Sequence, residues 1–139
     1  MLEREETVFY NKSFYIGSSL KFFARLYLKK LPPEVTHLVC RGRSGVAIAS
    51  AMITLARRPL VFYPVAKSFE AHGTYSSTCP DSRHVVCFVD DFISYGNTVK
   101  DVFAEVKFKY ALVCHRDCFN VGELPDVKFI FLGKGGCDV

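Results

Sequence analysis

The chain has 139 residues, 50% of them hydrophobic and 23% charged, and its net charge is +4 from 18 basic and 14 acidic residues. This length suits one domain with its own hydrophobic core, and the composition excludes a disordered chain. No apolar run approaches the roughly 20 residues of a membrane-spanning helix, and the dispersed positive charge suits a small phosphate-bearing ligand better than nucleic acid.

The predicted elements begin with a mixed aromatic and polar segment, 7–17, that suits a short strand or an edge hairpin. Ser18 or Ser19 is then expected to cap a helix, in which apolar residues recur three and four positions apart until about Leu31. The helix should end there because Pro32 follows, and proline does not continue a helix.

A strand, a turn and a second helix follow in the first half of the chain. Residues 36–40 predict the strand, 41–45 the turn, and the alanine-rich stretch 46–56 a largely buried helix. Residues 60–65 predict another strand. The segment 67–83 is rich in Ser, Thr, Gly and Pro and is expected to be a mobile loop, because long loops in compact domains are usually functional or disordered.

Strand and helix signals also alternate in the second half. Asn97 is expected to cap a helix that carries apolar residues at helical spacing from Val99 to Val106. Three more strands are predicted, over 85–89, 110–114 and 127–132. This alternation predicts a single α/β domain over 1–139, a three-layer sandwich with a mostly parallel central sheet. Ligands in such sheets bind beyond the carboxyl ends of the strands.

The most specific chemical pattern runs from Val85 to Thr98. Five apolar residues lead into Asp90 and Asp91, two apolar residues follow, and a loop of small and polar residues opens the helix. Carboxylates accept hydrogen bonds from hydroxyls or hold hydrated Mg²⁺, and loop N–H groups with a helix N-terminus hold phosphate. Acids at a strand end are common by themselves, whereas this ordered combination suits a phosphorylated sugar.

This pattern resembles the phosphoribosyl-diphosphate (PRPP) motif of the type I phosphoribosyltransferases, in which a hydrophobic strand precedes two acids, two apolar residues and a Thr- and Gly-rich loop. The resemblance implies that Asp90 and Asp91 face the ribose hydroxyls and hold Mg²⁺ through water or those hydroxyls. It also implies that the loop wraps the 5-phosphate with Ser94, Tyr95, Gly96, Asn97 and Thr98. Tyr95 replaces the usual small residue, and Ser94 stands where purine-type members carry an Asp that interacts with the base.

The turn Arg41-Gly42-Arg43-Ser44-Gly45 resembles the pyrophosphate loop of the same family. Its N–H groups and guanidiniums suit a diphosphate, and Gly and Ser let the backbone approach a ligand. Taken alone, an ordinary strand-to-helix turn with exposed arginines is the simpler interpretation. Together with the first motif, the resemblance implies that Arg43 acts on the leaving pyrophosphate. It also implies that four neighbours bind PRPP, namely Arg41, Gly42, Ser44 and Gly45.

Residues 66–73 resemble the start of the mobile catalytic loop of orotate phosphoribosyltransferases, Arg-Lys-x-x-Lys-x-His-Gly. Lys67, His72 and Gly73 match that pattern, while Ala and Glu replace its Arg and its second Lys. The cations of this loop neutralise the departing pyrophosphate in the family, so the resemblance implies catalytic roles for Lys67 and His72. The alternative is a solvated loop with an incidental His and Lys.

The resemblance covers residues 18–132 and implies transfer of the 5-phosphoribosyl group of PRPP to a purine- or pyrimidine-type base, with Mg²⁺ as cofactor and pyrophosphate as product. Little chain is left, at 1–17 and after Leu132, for the hood that grips the base in this family, so the base is not indicated. Family members often pair, and a homodimer is therefore an expectation. The alternative is a catalytically weak or inactive relative that binds PRPP or nucleotide as a regulatory or interaction protein.

Other classes of function fit the sequence less well. A nucleic-acid binder on this fold would need a basic face, and a solvated helix edge explains Lys100, Lys107 and Lys109 more simply. The six cysteines and the charged N-terminus, which does not read as a secretory signal, predict reduced thiols in a cytoplasmic protein without a membrane partner. The run from Cys114 to Cys118 holds potential zinc ligands, but a structural zinc site needs four, usually as two spaced pairs.

Overall fold

The structure is a computed structural model in which residues 17–65 and 79–132 are described. The strand or hairpin predicted before Gly17 lies outside these residues, as do the predicted catalytic residues Lys67 and His72 with most of their loop. None of the described helices is long and apolar enough to cross a membrane.

Helices and strands alternate along the described chain as the sequence predicts. The helices are α1 (Gly17–Lys30), α2 (Gly42–Leu55) and α3 (Asn97–Glu105). The strands of the central sheet are β1 (His37–Cys40), β2 (Val61–Pro64), β3 (Val86–Val89), β5 (Tyr110–Val113) and β7 (Lys128–Phe131). Each lies within one residue of its predicted bounds. The short strands β4 (Phe92–Ile93) and β6 (His115–Arg116) form a separate ribbon, and a 3₁₀ turn covers Val121–Glu123.

All neighbouring strands of the central sheet are parallel, in the order β2-β1-β3-β5-β7. The register places Val39 beside Phe88 and Phe88 beside Ala111, so β3 lies at the centre of the sheet. Pro64 lies on β2, at the edge of the described sheet, where a missing N–H is tolerated.

Alternate residues of the central strands face two separate hydrophobic layers, as pleated strands require. On one face, Leu38 and Leu112 pack with α1 and α2. On the other face, Val39, Phe88 and Ala111 pack with α3. Helices therefore cover both faces of the sheet, which confirms the predicted three-layer α/β sandwich.

The chain changes direction across the sheet between β1 and β3. From β1 it passes through α2 on one face to β2, and from β3 it passes through α3 on the other face to β5. The connections after β1 and β3 therefore diverge and leave a crevice at the carboxyl ends of these two strands, which is where ligands bind in α/β sheets. Both predicted ligand-binding segments, 41–45 and 90–98, begin at this crevice.

The structure corrects three predicted helix starts. α1 already includes Ser18 and Ser19, so neither of them caps it. α2 begins at Gly42, one turn earlier than predicted, because its first turn borders the crevice and lacks the apolar period that marks the rest of the helix. Gly96, not Asn97, precedes the first turn of α3, since the backbone enters the helix through a left-handed conformation with φ of 90° that favours glycine.

Gly45 lets α2 approach the ends of β1 and β3 closely. A Cβ on this residue would lie 3.2 Å from both the Cys40 Cβ and the Val89 carbonyl oxygen, and 3.5 Å from Asp90 Oδ1. Two of these distances are shorter than ordinary van der Waals contact, so a side chain would push the helix away. The glycine thus holds the first turn of α2 beside Asp90.

Candidate functional site

The acid pair continues β3 at the centre of the sheet. The Asp90 N–H donates to the Leu112 carbonyl at 3.3 Å, and the Cys114 N–H donates to the Asp91 carbonyl at 3.0 Å. Asp91 is buried, with 6% of its surface exposed, whereas Asp90 is half-buried. Backbone hydrogen bonds to β5 and the residue after it therefore fix both acids at the crevice.

Two adjoining cavities open at the acid pair. The first, of about 280 Å³, lies between the start of α2 and the acids, and the second, of about 240 Å³, is formed by the loop between β4 and α3. Asp90, Phe92 and Thr98 line both cavities, so the two meet at these residues. Predicted PRPP-binding residues that line one of the cavities are Arg41, Gly42, Arg43, Ser44, Asp91, Ser94, Tyr95, Gly96 and Asn97.

The first cavity suits an anion because α2 begins in its wall. The side chain of Arg41, the residue before the helix, makes no capping hydrogen bond, and the first turn carries no acid. Gly42 has a left-handed backbone (φ 86°), and apart from its chain neighbours and the backbone of α2 itself no described atom lies within 4 Å of the place where its Cβ would be. A ligand can therefore reach uncapped N–H groups at the positive end of a helix dipole.

Two guanidiniums border the first cavity. Arg43 is exposed at its rim, while the Arg41 side chain is 20% exposed and places Nη1 3.7 Å from Asp101 Oδ2 on α3. The Nε of Arg41 is buried without a hydrogen-bond partner among residues 17–65 and 79–132. Arg41 thus joins the two sides of the crevice and keeps a donor for a ligand.

The loop of the second cavity is held by the backbone after β6 and by one aromatic ring. The Cys118 N–H donates to the Ser94 carbonyl at 3.0 Å, which extends the pairing of β4 with β6. Gly96 lies against Phe119, and a Cβ on Gly96 would be 2.2 Å from Phe119 Cδ1. The start of α3 has no side-chain cap in the described structure and no acid in its first turn, so it offers a second anion site.

The pKa values of both acids lie above the ordinary range of an aspartate. Burial is the main cause of the raised pKa of Asp90, and the negative charge of Asp91 adds to it. Burial also raises the pKa of Asp91, although hydrogen bonds, including one from Ser44, lower it by a smaller amount. The pair therefore retains a proton at pH values where an isolated aspartate has lost it.

One oxygen of the pair is left for a ligand. Asp91 Oδ2 is buried and has no hydrogen-bond partner in the part of the chain that the structure describes, so it can accept from a ribose hydroxyl or a metal-bound water. No group of three metal-ligating side chains occurs in those residues. The pair fits Mg²⁺ that keeps waters or takes oxygens from a ligand, which is the usual mode for this ion at phosphate sites.

Three aromatic residues contribute to the site although the sequence did not indicate it. Phe92 lies where the cavities meet and packs edge-on against His115, with ring centroids 4.6 Å apart. The hydroxyl of Tyr27, on α1, donates to the Asp90 carbonyl at 2.6 Å. Phe119 packs against Gly96 of the loop 94–98. Helical spacing predicts only that Tyr27 is buried, because periodicity does not show where a hydroxyl will find its partner.

Other residues singled out in the sequence lie away from the cavities. Gly45 is not among the described residues that line either cavity, and its close packing behind Asp90 is its structural role. Two of the lysines that were considered as a basic face make contacts within the protein. Lys100 pairs with Glu123 at 2.7 Å, and Lys107 Nζ donates to the Phe103 carbonyl at 2.9 Å.

The architecture matches solved structures of phosphoribosyltransferases. Adenine phosphoribosyltransferase from Thermoanaerobacter pseudethanolicus has a TM-score of 0.66 at 12% sequence identity, over 84% of this chain and 80% of that chain. The chain has the phosphoribosyltransferase fold. Orotate phosphoribosyltransferase from Aeropyrum pernix gives 0.57 at 17% identity, over 84% and 71%, and another adenine phosphoribosyltransferase gives 0.58 at 16% identity, over 83% and 78%.

These comparisons confirm the fold that the resemblance in the sequence predicts. No protein-family model and no curated protein sequence matches the chain. Adenine and orotate enzymes fit to a similar extent, so the likeness concerns the fold and does not distinguish the base.

Replacement of Gly96 by alanine is expected to disrupt the second cavity. The new Cβ would overlap the Phe119 ring and would sit on a left-handed backbone, so the free energy of unfolding should fall by about 2–4 kcal/mol. Urea unfolding measures this loss. The matched control is Gly122→Ala, where a Cβ would meet only the end of the Asn120 side chain at 3.2 Å. Equal effects of the two substitutions would contradict the assignment of Phe119 as the support of Gly96.

Replacement of Asp90 by asparagine is expected to stabilise the protein at neutral pH. Because the pKa is raised in the folded state, that state binds more protons than the unfolded chain between an ordinary aspartate pKa and the raised value, and the free energy of unfolding falls as pH rises through this window. Asp90→Asn removes one charge of the pair, so the gain at pH 8 should be on the order of 1 kcal/mol, the energy of about one pKa unit.

Urea unfolding at pH 4 and pH 8 tests this prediction. The gain from Asp90→Asn should be smaller at pH 4 than at pH 8, because the raised pKa of Asp90 keeps its carboxyl neutral to higher pH than an ordinary aspartate. The control Asp126→Asn removes an exposed acid outside both cavities and should give no such gain. A gain that does not depend on pH would show that repulsion within the pair is not its cause.

Proposed function

We propose that the chain is a phosphoribosyltransferase that transfers the 5-phosphoribosyl group of PRPP to a nitrogenous base and releases pyrophosphate. The observation that carries the proposal is the order of groups along the two cavities: a helix start, an acid pair and a second helix start. PRPP presents a pyrophosphate, ribose hydroxyls and a 5-phosphate in the same order. The phosphoribosyltransferase fold of the chain supports this assignment.

The two anionic ends of PRPP would bind at the two helix starts. The loop 94–98 and the N-terminus of α3 would hold the 5-phosphate through N–H and hydroxyl groups. Arg41, Arg43 and the uncapped N–H groups of α2 would hold the pyrophosphate. Ser44 would contribute its hydroxyl beside Asp91, to which it already donates.

The acid pair would hold the ribose. Asp90 and Asp91 would accept hydrogen bonds from the ribose hydroxyls, and Asp91 Oδ2 has the free acceptor capacity that this requires in the described structure. Mg²⁺, when bound by the acids through water or through the hydroxyls, would supply positive charge to the pyrophosphate. Hydroxyl donors and a cation near the pair would also lower the raised pKa values and favour both carboxylates in their charged form.

In the reaction, a ring nitrogen of the base loses its proton to solvent and forms a bond to carbon 1 of the ribose while the bond from carbon 1 to pyrophosphate breaks. The bonding electron pair leaves with the pyrophosphate oxygen. Arg43, Lys67 and His72 are the residues proposed to stabilise that leaving group, so catalysis would consist of positioning and electrostatic stabilisation. Phe92 and the exposed ring of Tyr95 border the cavities and are available to contact the base.

Calorimetric titration with PRPP and Mg²⁺ tests the binding site. The wild type should bind, and the variant Asp90→Asn, Asp91→Asn should bind at least 100-fold more weakly, because hydrogen bonds to charged acceptors each contribute about 1.5–3 kcal/mol. The control Glu105→Gln, Asp126→Asn removes two exposed acids outside the cavities and should bind as the wild type does.

Turnover is tested separately with a panel of adenine, guanine, hypoxanthine, uracil and orotate, scored by pyrophosphate release. Release with one base, abolished in the double Asp variant, would establish the transferase and its substrate together. Binding of PRPP without release for any base would contradict the enzymatic proposal and favour a nucleotide-binding protein on the same fold. A folded wild type that does not bind PRPP would overturn the site itself.

A further inference from the structure

A buried tyrosine reaches the backbone of the acid pair from the helical layer. Tyr27 of α1 has no exposed surface, and its hydroxyl donates to the Asp90 carbonyl at 2.6 Å across 63 positions of sequence. The same hydroxyl lies 3.4 Å from Cys114 Sγ. Burial raises the pKa of Tyr27, so the hydroxyl stays protonated and remains a donor.

The peptide unit between Asp90 and Asp91 is held at both of its polar ends. Its carbonyl accepts from Tyr27, and its N–H, which belongs to Asp91, donates to Asp90 Oδ1 at 2.9 Å. A peptide unit is planar, so its carbonyl and N–H rotate together. The tyrosine that fixes the carbonyl therefore also aims the N–H that orients the Asp90 carboxylate.

We propose that Tyr27 is a positioning residue for the acid pair, which sets the direction of the Asp90 carboxylate through the plane of the peptide 90–91. The ligand-binding consequence rests on the proposed function. In this role Tyr27 acts through the backbone of Asp90, whose carbonyl accepts its hydrogen bond. Hydrogen bonds in a chain polarise one another, so donation to the carbonyl also strengthens the donation by the N–H.

Loss of the hydroxyl would leave the Asp90 carbonyl without this donor in a layer packed by α1, β3 and β5. A buried carbonyl without a partner is costly, and rotation of the peptide toward another donor would relieve that cost. Such a rotation would withdraw the Asp91 N–H from Asp90 Oδ1. Groups that support functional side chains in this indirect way typically change ligand or metal affinity by 10- to 100-fold when removed.

The test compares Tyr27→Phe with Tyr110→Phe. Both substitutions remove only a hydroxyl from a buried ring, and Tyr110 donates to Glu34 at the opposite ends of the strands. Two readouts are needed: hydrogen exchange of the Asp91 amide by NMR without ligand, and calorimetric affinity for PRPP with Mg²⁺. Cys114→Ala is a second control, because it removes the thiol near Tyr27 and leaves the hydroxyl bond to Asp90 intact.

Tyr27→Phe should accelerate exchange of the Asp91 amide at least tenfold and weaken PRPP binding about tenfold or more. Tyr110→Phe and Cys114→Ala should change neither quantity. Unchanged exchange at Asp91 in folded Tyr27→Phe would overturn the proposal. Faster exchange with a wild type that does not bind PRPP would support the positioning role while rejecting the proposed function.

A measurement on the wild type keeps the proposal testable even where Tyr27→Phe does not fold. The Tyr27 hydroxyl proton should appear in the NMR spectrum as a slowly exchanging signal close to the backbone of residues 90 and 91. Rapid exchange of this proton in the folded protein would overturn the hydrogen bond on which the inference depends.

Discussion

Two adjacent carboxylates are held partly out of water at the end of the central strand, and the neighbouring structure compensates for their repulsion. The Asp91 N–H donates to Asp90 Oδ1, and the Ser44 hydroxyl donates to Asp91. The starts of α2 and α3 approach the pair from opposite faces of the sheet with no acid in their first turns. The pKa values of both acids nevertheless stay raised, mainly because of burial, and shifted pKa values of this kind are common among side chains of functional sites.

The close approach of α2 and of the loop before α3 to their neighbours depends on two glycines, at positions that have no room for a side chain. Gly45 allows the first turn of α2 to pack closely against the ends of β1 and β3. Gly96 allows the loop 94–98 to pack against the ring of Phe119. On the other side of the pair, Tyr27 reaches across from α1 to the Asp90 carbonyl. Three contacts from separate parts of the chain thus determine one geometry, which local sequence around the acids does not specify by itself.

The sequence predicted what is encoded locally. The strand β3, the acids after it and the loop before α3 follow one another along the chain, so composition and order were enough to identify them. The start of α2 was predicted one turn late because Arg41 to Ser44 line the first cavity and carry no apolar period. The sequence did not indicate the roles of Phe92, Phe119 and Tyr27, since these roles arise from partners distant in sequence.

The crevice holds the negatively charged acid pair between the positive ends of α2 and α3. The sheet and both helical layers fix the pair and the two helix ends in place. A ligand with hydroxyls between two phosphate groups would satisfy the pair and both helix ends at once, so each part of the site favours the same occupant. None of these groups recognises a base. In the proposed function, the base would be selected by side chains beside this frame, such as Phe92 and Tyr95, whose rings border the cavities without taking part in the compensation of charge.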